Sequence, residues 1–144
     1  MHWLICKERT EIILLLFIWA NAFEERKEII FLSSNEDNWM IRDIMEIRTA
    51  TIADLAQIAA VEAECFPAAE AATKEEFAER IKYYGNHFWL MFEDEKLIAF
   101  VDGFVTDKPD LTDEMYERAE MHDENGAWQM IFGVNTIPAY RKHG

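Results

Sequence analysis

The side chains best suited to bind an anion lie at the carboxyl end of the sequence. An apolar run over residues 128–134 is followed by a basic loop that ends in Arg141, Lys142, His143 and Gly144. Backbone N–H groups of such a loop form a concavity for phosphate oxygens, and glycine allows the oxygens to approach closely. A strand followed by such a loop usually delivers a phosphate to the N-terminus of the next helix, but the sequence stops before one. From these residues alone, a basic surface loop without a ligand is favoured; the alternative is a phosphate site.

Three other reactive side chains stand alone in the sequence. Cys65 falls on the apolar side of a predicted helix, which fits a core position better than a nucleophile. His87 begins an apolar run and is expected to be structural. His122 closes a predicted helix, where it would either stabilise the helix dipole or face a substrate. We find no ordered Ser, His and Asp set, no Walker loop and no metal-ligand spacing, so we predict no metal site and assign no catalytic residue.

The composition excludes several classes of partner. The chain of 144 residues has the length of one domain, with 14 basic and 28 acidic side chains and a formal net charge of −14. Nucleic acids and anionic membranes are not expected as partners, because both bind clustered Lys and Arg. Two cysteines are too few for a disulfide scaffold, which indicates a reducing cytoplasm. Residues 93–124 hold 12 acidic and 3 basic side chains, which form either a solvated face or an acidic rim that attracts a cationic substrate.

Residues 1–44 differ in pattern and are interpreted as an appended segment of uncertain status. Their apolar run, residues 12–20, is too short to span a membrane, because a spanning helix needs about 20 apolar residues. The run resembles a secretory signal, but acidic Glu8 and Glu11 stand where basic residues are expected. The alternatives are a buried helix or strand of the segment, or upstream sequence that does not belong to the domain.

The remaining sequence begins with a strand and two helices. An alternating run over residues 46–50 predicts the strand. Thr51 begins a helix that runs to about Cys65, and Thr73 caps a second helix that Gly85 ends. The residues expected on the apolar face of the first helix are Ile52, Leu55, Ala59 and Phe66.

Strands dominate the rest of the chain. The elements predicted there are strands over residues 87–92 and 97–105, a polar helix over 111–122 and a strand over 127–136. The first two strands are expected to pair as an antiparallel hairpin. Asp102-Gly103 within the second strand predicts a bulge or a close backbone approach.

Four motifs occur in order along this part of the chain. They are EAECFP over residues 62–67, EKLIAFVDG over 95–103, a segment from DEMY to MH over 113–122, and TIPAYRKHG over 136–144. Together they resemble the GNAT superfamily of acetyl-CoA-dependent N-acetyltransferases, and within it the arylalkylamine (serotonin) N-acetyltransferase group. The resemblance covers residues 45–144, and each motif alone is weakly specific.

The resemblance implies a fold, a cofactor and a site. The fold would be the N-terminal half of a GNAT α/β domain, with a mixed, mostly antiparallel sheet and flanking helices. The backbone of Val134, Asn135 and Thr136 would pair with the pantetheine arm of acetyl-CoA and polarise its thioester carbonyl. The loop from Arg141 through Lys142 and His143 to Gly144 would bind the pyrophosphate. The acetyl acceptor would be a small-molecule amine, and an exposed sheet edge would favour a homodimer.

The sequence also departs from the family. Met130 and Phe132 occupy the positions of two histidines that relay the amine proton in serotonin N-acetyltransferase. That relay is not expected here, so a Glu, an Asp or water would have to remove the proton. Half of the acetyl-CoA signature and the general-acid tyrosine would lie beyond Gly144. We therefore expect a truncated domain that is weakly active or inactive alone; the alternative is a non-catalytic fragment that serves as an interaction or dimerisation module.

Overall fold

The computed structural model describes residues 3–6 and 45–141. Its strands are β1 (Trp3–Cys6), β2 (Met45–Thr49), β3 (Phe88–Glu93), β4 (Lys96–Asp102), β5 (Val105–Thr106), β6 (Trp128–Ile131) and β7 (Gly133–Thr136). Its helices are α1 (Leu55–Cys65), α2 (Lys74–Tyr84) and α3 (Asp113–Glu117), and 3₁₀ helices cover Ile52–Asp54, Gly85–His87, Ala119–Met121 and Pro138–Tyr140. The signal-like run over residues 12–20 lies outside the described residues. In the part of the chain described, no helix is long and apolar enough to cross a membrane.

The strands form two antiparallel ladders that are joined at a bulge. The first has the order β2-β3-β4-β7 and the second the order β1-β6-β5. Main-chain bonds continue between them, because Phe132 N–H donates to the carbonyl of Asp102 and Met130 N–H to that of Phe104, each at 2.8 Å. The Cα register shifts across this junction. The junction is therefore a β-bulge that bends both long strands.

Gly103 allows the two chains to approach each other at this bulge. A Cβ atom on Gly103 would lie 1.7 Å from the carbonyl oxygen of Met130, so only glycine fits the unshifted backbone. The close backbone approach predicted at Asp102-Gly103 is confirmed. The runs over residues 97–105 and 127–136, each predicted as one strand, are divided here because the bulge interrupts regular pairing.

The first helix begins as predicted but buries a different face. Thr51 donates through its N–H and its hydroxyl to Asp54, at 2.8 and 2.9 Å, and so caps a 3₁₀ turn ahead of α1. Ile52 is 63% exposed and Phe66 is 39% exposed, so their predicted place on the apolar face is wrong. The 3₁₀ turn rotates Ile52 off that face, and Phe66 is already extended. The buried residues of α1 are Ile58, Val61 and Glu62.

The second helix is capped as predicted and packs over the sheet. The hydroxyl of Thr73 accepts the N–H of Glu76 at 3.2 Å, and the Glu76 carboxylate accepts the N–H of Thr73 at 2.7 Å. Phe77 of α2 meets the rings of Phe88 and Phe100 edge-on, with centroids 6.0 and 5.7 Å away. These rings lie in the larger core cluster, which fixes α2 against β3 and β4.

The polar helix predicted over residues 111–122 is shorter than expected. After α3, Arg118 adopts φ −124 and ψ 79, which ends the helix before the 3₁₀ turn Ala119–Met121. The Arg118 guanidinium pairs with Glu114 and Glu120, on either side of the break. These partners let the chain bend at Arg118, which the helical pattern could not indicate.

An ion pair connects β2 to the start of α1. The guanidinium of Arg48 donates to both carboxylate oxygens of Asp54, at 2.8 and 2.6 Å. This bond, together with the bonds from Thr51, lowers the pKa of Asp54 to about 2.

We expect Asp54→Asn to lower the free energy of unfolding at pH 7 by about 1–2 kcal/mol, because Arg48 is partly exposed and solvent weakens the pair. The pKa of Asp54 is lower in the folded protein than in the unfolded chain. The difference from wild type should therefore be complete above about pH 4 and fade as the pH falls toward 2. Urea unfolding across this range measures it, with exposed Asp110→Asn as the control. A difference that stays constant at every pH would contradict the assignment.

Candidate functional site

Within the described residues, β7 is an edge strand of the first ladder. Ile137 N–H donates to the carbonyl of Ile98 at 3.0 Å, which sets the alternation of bonds along the ladder. By this alternation the main-chain groups of Asn135 face β4, whereas those of Val134 and Thr136 face the outer edge. Of the three residues that the resemblance assigns to the pantetheine arm, two therefore offer main-chain groups outward and Asn135 does not.

The carboxyl end of this outer edge is held by Arg141 and Cys65. The carbonyl oxygen of Thr136 accepts a bond from the Arg141 Nε at 2.8 Å and one from the Cys65 Sγ at 3.4 Å. Burial raises the pKa of the Cys65 thiol, so the group is a neutral donor there and not an activated nucleophile. Arg141, a predicted loop residue, therefore contacts the last residue of the predicted segment 134–136. The other predicted loop residues, Lys142, His143 and Gly144, lie outside the described residues.

A buried carboxylate of α1 holds β7 from the helix side of the sheet. Glu62 Oε2 accepts from the Asn135 amide at 2.5 Å, and Oε1 accepts from the N–H of Ala72 at 3.0 Å. This one side chain connects α1, the chain before α2, and β7. Sequence reasoning missed the role because Glu62 and Asn135 are 73 positions apart and a helical Glu normally faces solvent.

A second buried carboxylate lies at the bulge end of β7. Asp102 Oδ2 accepts from the Nη1 of Arg80 at 3.1 Å, and the two side chains are 2% and 12% exposed. Burial raises the pKa of Asp102, and the nearby Arg80 only partly offsets this effect. In the ladder, Asp102 stands opposite Gly133. A buried carboxylate therefore lies opposite the first residue of β7.

An acidic groove of about 250 Å³ opens beside this ion pair. Its lining comprises Arg80, Tyr116, Ala119 and the five glutamates Glu75, Glu76, Glu79, Glu117 and Glu120. The ring of Tyr116, one wall of the groove, packs on that of Phe132 with centroids 4.9 Å apart. The predicted acidic rim over residues 93–124 supplies only part of this lining, and the rest comes from α2.

Met130 and Phe132, the positions where the family resemblance would place a histidine relay, are packing residues. Met130 is fully buried in the smaller core cluster, next to Phe104. The ring of Phe132 lies 5.0 Å from that of Phe104 and 4.9 Å from that of Tyr116. Neither side chain can carry a proton, and the carboxylate beside this part of the strand is that of Asp102.

His87 and His122, which the sequence shows as single histidines, lie together with ring centroids 5.3 Å apart. The Nε2 atoms of His87 and His122 are 2.9 and 3.1 Å from Oε2 of Glu124, a grouping with the residue types of a metal site. However, His122 Nδ1 accepts the N–H of Val105 at 3.1 Å, which places its proton on Nε2. A metal-bound histidine needs the opposite arrangement, a free lone pair on Nε2 and a donating Nδ1–H. The grouping therefore fits a hydrogen-bond network better than a metal site.

The backbone is similar to two solved structures. The crystal structure of the loading GNATL domain of CurA from Lyngbya majuscula shares 22% identity and a TM-score of 0.60, covering 69% of this chain and 51% of that one. The GphF GNAT-like decarboxylase in complex with isobutyryl-CoA shares 28% identity and a TM-score of 0.59, covering 67% of this chain and 51% of that one. This chain has a GNAT-like fold. No family model and no curated protein matches the sequence.

The GNAT-like fold confirms the predicted fold class, a mostly antiparallel sheet with flanking helices. Both similar structures support the GNAT superfamily and give no support to the serotonin N-acetyltransferase group. The chain spans about half the length of each of them.

The contact between Glu62 and Asn135 gives a prediction for stability. Asn135→Asp would put two buried carboxylates within hydrogen-bond distance, which opposes charge on the pair. We expect the free energy of unfolding at pH 7 to fall by about 3 kcal/mol. The pKa of the pair would be higher in the folded than in the unfolded state, so the loss should shrink as the pH falls toward about 4. Denaturant unfolding measures it.

The matched control is Asn86→Asp, which introduces the same group at an exposed amide that donates to Glu124. It should cost less than Asn135→Asp, because solvent screens the new charge. Equal losses in the two variants would contradict a buried role for the Glu62 contact.

Proposed function

We propose that this chain binds an acyl-CoA, in particular acetyl-CoA, along the outer edge of β7 and transfers the acyl group to a small-molecule amine. The observation that carries the proposal is the outward direction of the main-chain groups of Val134 and Thr136 in a GNAT-like fold. The amides of a pantetheine arm can pair with such an edge as an added strand does. The solved GphF structure is a complex with isobutyryl-CoA, which supports an acyl-CoA as the ligand.

The charge of the chain supports a position for the CoA phosphates at the loop after β7. With a formal net charge of −14, the chain repels an anion from most of its surface. In the loop after β7, Arg141 and Lys142 adjoin each other with no acidic residue among residues 137–144. We assign the pyrophosphate to this loop, with the N–H groups of His143 and Gly144 as further donors.

The proposed reaction is direct attack of the amine nitrogen on the thioester carbonyl. The C–N bond forms, the C–S bond breaks, and CoA leaves as a thiolate that takes up a proton. An outward N–H of β7 would stabilise the negative charge that develops on the carbonyl oxygen. The acidic groove beside Arg80 would attract a protonated amine, which gives one proton to solvent before it attacks; the second proton that its nitrogen loses ends on the CoA thiolate.

A second candidate is decarboxylation of an acyl-CoA that carries a free carboxylate. It is favoured by the 28% identity to the GphF GNAT-like decarboxylase and by the absence of the histidine relay at Met130 and Phe132. Two assays separate the candidates: thiol release from acetyl-CoA with phenethylamine, and CO₂ release from malonyl-CoA without an amine. Absence of both activities, together with absence of CoA binding, would leave the non-catalytic interaction module.

Val134→Pro tests the outer edge. Proline removes one outward N–H, breaks no bond to β4 and is tolerated on an edge strand. We expect the Kd for acetyl-CoA to rise about tenfold, as one lost hydrogen bond of about 1.4 kcal/mol predicts. Calorimetric titration measures the Kd, and Val134→Thr, which keeps the N–H, should bind like wild type. Equal affinities of the Pro and Thr variants would remove this edge from the site.

Reversing the charge of the basic loop tests the phosphate site. We expect Arg141→Glu combined with Lys142→Glu to weaken acetyl-CoA binding at least tenfold, because charge-assisted contacts are worth about 1.5–3 kcal/mol each. The deficit should decrease at high salt. Lys82→Glu with Lys108→Glu changes the net charge equally at exposed positions elsewhere. If both double variants lose affinity equally, net charge and not this loop governs binding.

A further inference from the structure

The strand β1 and the outer edge of β7 lie end to end along the same edge of the sheet. β1 pairs antiparallel with β6, and its residues Trp3 and Ile5 stand opposite Ile131 and Gln129. On the other side of β6, the N–H of Met130 bonds to the strand that contains β5. By the alternation along β6, the main-chain groups of Gln129 and Ile131 therefore face β1. β1 thus takes up the outward groups of the edge as far as the bulge.

The bulge separates β1 from the free part of this edge. The N–H of Phe132 donates to the carbonyl of Asp102, away from the edge, and Gly133 stands opposite Asp102 and also faces β4. After Ile131, the next outward N–H is therefore that of Val134, at most roughly 10 Å along the strand. We call the stretch of edge between Ile131 and Val134 the bulge gap. The amino end of β1 closes one end of this gap, and the proposed acyl-CoA site begins at the other.

We propose that β1 closes the acyl end of the site and restricts the chain to acyl-CoA molecules whose acyl group fits the bulge gap. The proposal rests on the proposed function, because it takes from it the ligand and the position of the phosphates at the loop after β7. With the phosphates there, the acyl group points from Val134 past Gly133 toward the amino end of β1. β1 is held there by main-chain pairing with β6, so it acts as a wall.

The length of the bulge gap decides which acyl groups fit. A C–C bond is about 1.5 Å long, so an acetyl group is shorter than the gap, whereas an extended dodecanoyl chain of twelve carbons is longer. A long chain has to displace β1, which leaves the outward groups of Gln129 and Ile131 unpaired, or turn out of the edge, which pulls the thioester carbonyl away from the N–H of Val134. Either course removes hydrogen bonds that an acetyl group leaves intact. The substrates we infer are therefore short-chain acyl-CoA molecules.

Proline substitutions in β1 provide a matched pair of variants. Ile5→Pro removes the N–H that pairs with Gln129, whereas the main-chain groups of Leu4 face away from β6, so Leu4→Pro keeps the bonds between the two strands. Hydrogen exchange at the amides of Gln129 and Ile131 should be slow in the wild type and in Leu4→Pro, and fast in Ile5→Pro. If Ile5→Pro does not fold, Trp3→Pro replaces it, because it removes only the bond nearest the bulge. Fast exchange of both amides in the wild type would overturn the proposal.

Calorimetric titration with acetyl-CoA and dodecanoyl-CoA, each kept below its micelle-forming concentration, measures the restriction. In the wild type and in Leu4→Pro, we expect the Kd for dodecanoyl-CoA to exceed that for acetyl-CoA by about tenfold, as the loss of one hydrogen bond predicts. In Ile5→Pro this ratio should fall below about three, with the Kd for acetyl-CoA changed less than about threefold.

The same titrations separate failure of this proposal from failure of the proposed function. If acetyl-CoA binds but the ratio of the two Kd values is equal in the wild type, Leu4→Pro and Ile5→Pro, β1 does not limit the acyl group and the proposal is overturned. If the wild type binds neither acyl-CoA, the proposed function is refuted and the restriction with it, even where slow amide exchange places β1 on β6.

Discussion

The close approach of Gly103 to the Met130 carbonyl is the contact on which the site depends. It lets the two long strands cross a bulge without losing main-chain bonds, and it shifts their register. The shift begins β7 at Gly133, opposite Asp102, and so decides which main-chain groups of β7 face outward. A side chain at position 103 would force the strands apart. The outer edge of β7 and the buried Asp102 carboxylate would then lose their common geometry.

The polar residues beneath β7 are costly for a fold of this size. Asp102, Arg80, Glu62 and Asn135 are all largely removed from water, although apolar residues of similar volume would usually be at least as stable there. Their hydrogen bonds satisfy most of this polarity but, within the described residues, leave the Asn135 oxygen without a partner. Buried polar groups that stability does not require are commonest at functional sites.

The sequence predicts the fold better than it predicts the site. Capping boxes at Thr51 and Thr73 and the glycine at 103 are local signals, so both helix starts and the close approach are found from sequence. The buried face of α1 is predicted wrongly, because a 3₁₀ turn at its start and a buried Glu62 both break the apolar pattern. Helix 111–122 fails for a similar reason, since ion pairs around Arg118 hold a bend.

The carboxylates of the site could not be found from sequence for a different reason. Asp102 and Arg80 are 22 positions apart, and Glu62 and Asn135 are 73 apart. The sequence around each of these residues predicts an exposed side chain. They are buried because α1 and α2 pack on one face of the sheet. Pairs of residues so far apart in the chain give no periodic pattern in the sequence. The outward main-chain groups of Val134 and Thr136 are different, because the family resemblance already assigns these residues to the pantetheine arm.

The two ends of β7 differ in charge, and the proposed acyl-CoA site would take its direction from this difference. At the carboxyl end, Arg141 binds the last carbonyl of the strand and begins the basic loop. At the bulge end, the acidic groove opens beside Arg80 and Tyr116. A ligand with phosphates at one end and an acyl group at the other would bind in one orientation, phosphates on the loop and acyl group at the bulge. A cationic acceptor drawn to the groove would then meet the acyl carbon beside Asp102, so charge alone brings the reactants together in the order that the proposed transfer needs.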